Sequence, residues 1–563
     1  MIIGLDVGGT HTDVVLLAED GIRDAVKVPT DPTDLFHTVL SGITRVTAGV
    51  DPACIQRIVL STTLATNAVA QGRLPKVGMI VSAGPGMDPE GFRTNDHYVC
   101  VRGCIDHRGR EIEPIDPNEV RQAADHFRRH DITHVGIVGK FSVRNPAHEI
   151  AIQQALPEGF DRIFLGHRVS GSLNFPRRIA TTYLNAAVFP IHQAFFGAVR
   201  QSLAERGIRV PIHIMKPDGG TMLLEASVDQ PAQTILSGPA ASVMGSLAFA
   251  FDEEDAFVLD IGGTTTDIAL LVHLAPVLNP NGITVGAYKT LIRSIESHSL
   301  ALGGDSAVAF GPDGALKIGP ERKGFALAFG GPCPTPTDAL CILGKIQTGM
   351  LERAIEGFTP IAQKLGCDIE QAAHRVLDTL CRTIVSEATA LLNRINEKPV
   401  YTIHEMLEGY RVHPKKILLI GGPAPFLASR IERFAEGMQV GVVPRWDVAN
   451  AIGAALARTT TEVVLFADTQ QEIAIAPEEA WKEKVDRHFD KAKAIEAATA
   501  ILRDKAVRLG AGKDDLETEV IEEYQFNMVR GFYTTGRNIR VRVQIKPGLI
   551  AASDAIVEML SRG

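Results

Sequence analysis

The sequence predicts an α/β protein built from two halves of one design, with a small α+β addition at the C-terminal end. Three observations predict this. Short apolar runs alternate with helical patterns: Arg57–Leu60, Val77–Val81 and His134–Val138 against Pro117–His130 and Pro146–Leu156. Such alternation gives helices layered on sheets. An eight-residue turn occurs twice, as Asp6-Val7-Gly8-Gly9-Thr10-His11-Thr12-Asp13 and as Asp260-Ile261-Gly262-Gly263-Thr264-Thr265-Thr266-Asp267. Beyond about Gln470 the composition changes character.

Taken in chain order, residues 1–17 read as a strand, a Gly-Gly turn and a second strand, Val14–Leu17. From about Arg178 to Arg206 the pattern is helical, and Pro190 is expected to kink or interrupt it. The second copy of the turn lies between strands Phe257–Leu259 and Ile268–Val272. Residues 368–396 place Val376, Leu380, Ile384, Ala388, Leu391, Leu392 and Ile395 mostly at steps of three and four, which predicts one amphipathic helix. Lys416–Ile420 is a buried-type strand ending in Gly421-Gly422. Residues 478–523 are rich in Glu, Lys, Asp and Arg, and most of them are expected in a solvated helix. Ile539–Ile545 alternates strictly, as a half-exposed strand does. Domain boundaries are expected at 1–175, 176–464 and 465–563.

The repeated turn suits phosphate. Its paired glycines are expected to supply φ > 0 and to let successive backbone N–H groups form a concave anion site. The hydroxyls of Thr10, Thr12, Thr264 and Thr265 add donors for phosphate oxygens. Asp6 and Asp260 would repel phosphate directly, so they make sense as Mg²⁺ holders acting through water, or as groups orienting a nucleophile. Asp13 and Asp267 either brace the turn or reach the substrate. Gly421-Gly422 would leave room for a nucleoside against bare backbone. A P-loop, a G-x-G-x-x-G helix opening, H-E-x-x-H and G-x-S-x-G are all missing from the chain.

Composition narrows the class. The 563 residues are 45% hydrophobic and 22% charged, the balance of a globular chain with a large core. A net charge of −9 and a pI near 6.0 argue against a general nucleic-acid binder. Seven scattered cysteines read as reduced thiols. No run of apolar residues is long enough to span a membrane, so a cytoplasmic location is expected. Cys100, Cys104 and His107 form C-x₃-C-x₂-H, which could begin a zinc site, although buried thiols are the expected reading. Lys216 and Asp218, beside Gly219-Gly220, either face a cleft or sit in a solvated loop.

Two phosphate hairpins and a late Gly-Gly strand end resemble the actin/Hsp70/sugar-kinase ATPase superfamily. Other segments resemble the hydantoinase/oxoprolinase family in particular. They are Ser61-Thr62-Thr63-Leu64-Ala65-Thr66-Asn67-Ala68, Arg102 through Gly109, Phe141 through Glu149, Arg178 through Ala186, Ser237-Gly238-Pro239-Ala240-Ala241-Ser242, and Thr335-Pro336-Thr337-Asp338-Ala339. They run in the family's order over about residues 1–460. Departures fall at Leu60, at Met215 through Gly220, at Leu302 through Ser306 and at Asn174 through Arg177.

The resemblance implies an actin-like, ribonuclease H-like ATPase fold, with duplicated domains around an interdomain cleft. It implies ATP-dependent opening of a cyclic amide such as hydantoin or 5-oxoproline, after phosphoryl transfer to the carbonyl oxygen. The alternatives are the ATPase subunit of a ketone carboxylase and an ATPase switch acting on a protein partner. ATP and Mg²⁺ are the implied cofactors. Thr62, Thr63, Asn67, His167 and Arg178 are implied substrate residues, and a hydantoinase B-type companion subunit in an oligomer is the implied partner.

Overall fold

In the computed structural model, residues 1–9, 11–31, 33–250, 252–279, 281–397, 411–550 and 558 are described, and of Arg530 only the backbone. Among these residues the chain divides into two compact units. One holds 1–240, 279–294 and 454–550; the other holds 241–278, 295–453 and 558.

The main sheet of the first unit has six strands, in the order Thr221–Leu223, Ile212–Met215, Arg57–Thr62, Ile2–Val7, His11–Ala18, Gly21–Pro29. Ile2–Val7 pairs antiparallel with His11–Ala18 and parallel with Arg57–Thr62, and Ile212–Met215 continues the parallel side. Alternate residues of a strand line one face of its sheet. Ile3, Leu5 and Val7 accordingly pack with Val39 and Ile43 of helix Leu35–Val46 and with Phe195, Phe196 and Val199 of helix Phe175–Glu205. That long helix runs through Pro190 without interruption, contrary to one expectation. Proline removes one backbone hydrogen bond, but buried Ala186, Ala187, Val188, Phe195 and Phe196 hold both flanks in the core.

Besides two two-stranded sheets, two further larger ones belong to the first unit. One is parallel, in the order Arg162–Leu165, His134–Gly139, Gly78–Ser82, Tyr98–Cys100. Helix Pro117–Arg129 covers it through Val120, Ala123, Ala124 and Phe127. The other is antiparallel, in the order Trp481–Lys484, Ile473–Ala476, Glu462–Asp468, Tyr533–Ile545, Thr518–Arg530. Helix Lys491–Arg508 packs on it through Ala494, Ala498, Leu502 and Ala506. The charged segment is therefore helical only in its middle, and both ends are strands. Cross-strand partners explain this: Glu522 lies opposite Arg542 and Tyr524 opposite Arg540. Pairing with a neighbouring strand outweighs local helix preference.

The second unit repeats the first sheet's plan. Ala256–Ile261 pairs antiparallel with Thr266–Val272 and parallel with Lys416–Ile420, and Gln439–Val442 extends the parallel side. Helix Ile369–Asn396 covers this sheet with buried Val376, Leu380, Ile384, Ala388 and Leu391, and the other two expected positions, Leu392 and Ile395, are partly buried. Asp368 caps it, accepting from the Gln371 N–H at 2.7 Å.

Candidate functional site

The two copies of the turn have the same register. Asp6 lies opposite Asp13 in the first unit, and Asp260 opposite Asp267 in the second. The Gly8 N–H donates to the His11 carbonyl at 3.0 Å, and the Gly262 N–H to the Thr265 carbonyl at 2.9 Å. Each turn therefore closes below a tip that holds Gly9 in the first copy and Gly263-Thr264 in the second. Gly9 and Thr264 are exposed, and Thr10 lies outside the described residues. The expectation of left-handed φ is corrected here, because none of the four glycines adopts it. Space is what requires glycine. A Cβ on Gly8 would stand 2.8 Å from the His11 carbonyl oxygen, and one on Gly263 would stand 2.8 Å from Asp305 Oδ2. Thr12 and Thr266 lie buried beneath the tips. The Thr12 hydroxyl meets that of Thr30 at 2.9 Å, and the Thr266 hydroxyl donates to the Leu302 carbonyl at 2.7 Å.

Beside each hairpin, the parallel neighbour strand ends at the same level. In the first unit it ends in Thr62-Thr63, where the Thr63 N–H donates to the Val7 carbonyl at 3.3 Å. Asn67 Nδ2 reaches the Thr63 hydroxyl at 3.5 Å, and the Asn67 side chain is the nearest group to Gly9. In the second unit it ends in Gly421-Gly422. Gly421 has φ 92°, and a Cβ there would stand 2.7 Å from Asp260 Oδ1, whereas Gly422 faces open space. The Thr-Thr and Gly-Gly pairs are thus topological counterparts, each followed by a helix, Leu64–Ala70 or Ala424–Phe434.

The four carboxylates differ in their surroundings. Asp13 forms an ion pair with Lys27 at 2.5 Å, from the facing position on the third strand. The residue facing Asp267 in that ladder is Ser299. Without a cation opposite it, Asp267 is pushed up to about 7, by burial first and by the neighbouring Asp260 charge second. Asp260 accepts from the Ser242 hydroxyl at 2.6 Å and has Asn450 Nδ2 at 3.5 Å. Asp305 sits over Gly263: its N–H donates to the Gly263 carbonyl at 2.7 Å, and its Oδ1 accepts from Thr337 at 3.2 Å. Carboxylate oxygens beside small hydroxyls form a hard donor set that suits Mg²⁺ held partly through water. Asp260 fits that role, and Asp6, 8% exposed, occupies the same register in the first copy.

Other sequence candidates lie elsewhere in the first unit. Arg178 is fully buried; it donates to the carbonyls of Ser172 at 2.7 Å, Gly139 at 2.5 Å and Lys140 at 2.8 Å. His167 Nδ1 meets Glu149 Oε2 at 2.6 Å, and the other Glu149 oxygen accepts from the Gly139 N–H at 2.8 Å. Lys216 and Asp218 are not in a solvated loop. Asp218 is 1% exposed and accepts from Lys216 at 3.0 Å, from the Gly220 N–H at 3.0 Å and from Thr460 at 2.8 Å, with Arg293 at 2.7 Å. This network borders a cavity of about 480 Å³ whose walls include Glu462, Glu478 and Lys505. Cys100, Cys104 and His107 do not converge as metal ligands. Cys100 donates to Glu90 at 3.2 Å, Cys104 is buried and His107 is exposed.

Sequence reasoning missed Lys27, Ser242, Asp305 and Asn450. Ser242 and Asp305 stand inside segments already singled out, Ser237–Ser242 and Leu302–Ser306, so position in those runs was the available signal. Lys27 belongs to the next strand of the same ladder and Asn450 to a helix far down the chain, and nothing local marked either.

The hydantoinase/oxoprolinase profile matches residues 178–463, and the profile of that family's N-terminal region matches residues 2–160. The chain is 27% identical to the caprolactamase subunit alpha of Pseudomonas jessenii over 431 residues, 68% of this chain and 62% of that subunit. It is 25% identical to the acetophenone carboxylase gamma subunit of Aromatoleum aromaticum, over 94% of this chain and 77% of that one. Among solved structures, the ATP-dependent caprolactamase of Pseudomonas jessenii matches with TM-score 0.72 at 21% identity, over 98% of this chain and 87% of that one. Nucleotide-free acetone carboxylase matches with TM-score 0.71 at 18% identity, over 98% and 88%. The chain shares their fold. With both profiles matched in order along most of its length, the chain belongs to the hydantoinase/oxoprolinase family.

Proposed function

We propose that the chain is the ATP-using subunit of an enzyme that hydrolyses a cyclic amide, of the hydantoin, 5-oxoproline or lactam class. The observation that carries this is the identical register of two Gly-Gly turns, each flanked by facing carboxylates, in a chain whose relatives include an ATP-dependent caprolactamase. The N–H groups and hydroxyls at the tips, Gly9 and Thr10 in one unit and Gly263 and Thr264 in the other, bind phosphate oxygens. Gly421 and Gly422 leave room for the nucleoside.

An unstrained amide is a poor electrophile. Transfer of the γ-phosphoryl group to its oxygen releases ADP and makes the carbon open to water. The first water adds to that carbon, the C–N bond breaks to free the amine and leave an acyl phosphate, and a second water hydrolyses this to carboxylate and inorganic phosphate. Mg²⁺ would supply charge neutralisation on the phosphates. Asp260, oriented by Ser242, would hold such an ion through water, Asp6 is the matching residue of the first copy, and Asp13, paired with Lys27, braces its turn. Asp267 titrates near neutral pH, so it can hold or release a proton at its carboxyl oxygen during turnover. A hydantoinase B-type companion subunit completes the enzyme. This rests on relatives that are themselves named as alpha, beta and gamma subunits.

A second reading, the ATPase subunit of a ketone carboxylase, is favoured by the alignment with the acetophenone carboxylase gamma subunit across nearly the whole chain. One assay separates the two. ATP hydrolysis is measured across hydantoins, 5-oxoproline, larger lactams and ketones, with and without bicarbonate. Stimulation by a cyclic amide without bicarbonate supports the first reading; stimulation only by a ketone with bicarbonate replaces it with the second. Asp260→Ala should lower ATP turnover by at least about 100-fold with the circular dichroism spectrum unchanged. Full turnover in that variant removes the mechanism.

A further inference from the structure

Three histidines meet in the first unit, at a sheet other than the one that carries its Gly-Gly turn. His97 precedes strand Tyr98–Cys100, His126 lies in helix Pro117–Arg129, and His130 caps that helix. One ring nitrogen from each lies within 4.8 Å of the other two, and among the described residues no other group of three His, Cys, Asp or Glu converges this closely. His97 Nδ1 stands 3.3 Å from His126 Nε2. Two imidazole nitrogens bound to one tetrahedral Zn²⁺, at about 2.0–2.1 Å each, lie about 3.3–3.4 Å apart. The His130 ring centroid is 4.8 Å from that of His97 and 4.7 Å from that of His126.

The backbone holds the three rings in place. The His97 N–H donates to Asn95 Oδ1 at 2.7 Å, and its carbonyl accepts from the Met79 N–H at 2.8 Å. His126 and His130 are one helical turn apart and flank Phe127, which is fully buried. His130 is exposed and the other two are half-buried, so an ion has access and a fourth position faces outward. Burial and the neighbouring cations push His97 and His126 below the ordinary imidazole range, toward the neutral form that ligates. The charged groups facing His97 are Lys76 and Asp96, and Arg129 faces His126.

We propose that His97, His126 and His130 bind one divalent late first-row metal ion of the zinc, cobalt or nickel class. Imidazole donors select these ions, whereas Mg²⁺ demands oxygen ligands. The site is therefore separate from any magnesium that accompanies nucleotide, and it stands whether or not the proposed reaction is correct. The ion would clamp the entry to Tyr98–Cys100 against the end of helix Pro117–Arg129.

The test uses the untagged full-length chain stripped with a chelator. Zn²⁺ alone is titrated calorimetrically in millimolar Mg²⁺, with Co²⁺ absorption as a second reading. The expected result is one micromolar or tighter site per chain, weakened at least about 100-fold in His126→Ala and in His130→Ala. His130 is exposed, so His130→Ala keeps the test decisive if the more buried variant fails to fold. The alternative, a plain hydrogen bond between neutral imidazoles, predicts no such site. Absence of micromolar binding in the wild type, or binding unchanged in His130→Ala, overturns the proposal.

Discussion

Asp13 and Asp267 hold the same place in two copies of one turn, yet their chemistry differs because one neighbour differs. Lys27 faces the first and Ser299 the second. The folded chain keeps the Asp267 proton to about pH 7, whereas the unfolded chain releases it near 3.8. Between those values the folded state binds more protons, so stability falls as pH rises through the window, and the full cost is present above 7. Asp267→Asn should therefore be more stable than wild type at pH 8, by a few kcal/mol at most because part of Asp267 still reaches solvent. The two should converge near pH 4. Denaturant titrations at both ends measure this, and a gap independent of pH would count against it. Gly421 and Gly422 give a second contrast. Gly421→Ala meets left-handed φ and the Asp260 carboxylate together, so a loss of at least about 1 kcal/mol is expected. Gly422→Ala should leave the melting temperature unchanged and weaken nucleotide binding, which fluorescent-nucleotide titration would show.

At the scale of elements, the sequence was legible wherever burial follows local period. Helix Ile369–Asn396 matched its spacing, and Leu380→Ala there should cost about 2–5 kcal/mol in chemical unfolding. The segment 478–523 misled because charge density says nothing about which strand lies alongside. Arg178 shows the same limit. In the sequence it stands among segments that resemble a family of small-molecule enzymes; in the fold its guanidinium ties the end of strand His134–Gly139 and the segment after it to helix Phe175–Glu205. Arg178→Met should destabilise by about 3 kcal/mol or more, because three carbonyls lose their donor. If its role is positioning alone, the variant's KM for substrate stays near the wild-type value while its melting temperature falls.

For the whole molecule, no described helix is long and apolar enough to cross a membrane. The chain spans 62% of the caprolactamase subunit to which it is similar. A companion subunit is expected to raise amide-dependent ATP turnover well above that of this chain alone, and co-expression followed by a coupled ATPase assay measures the difference. The sequence by itself determined the duplication, the carboxylate–glycine turns and the family, because these are written in contiguous residues whose order is their information. The tertiary structure alone decided that glycine serves space and not handedness at the turns, and that Thr62-Thr63 and Gly421-Gly422 are counterparts. It also decided that Lys216 and Asp218 are buried together, and that His97 meets His126 and His130. Apart from the approach of Gly8 to His11, these depend on residues far apart in the chain, and only strand pairing and helix packing bring such residues within bonding distance.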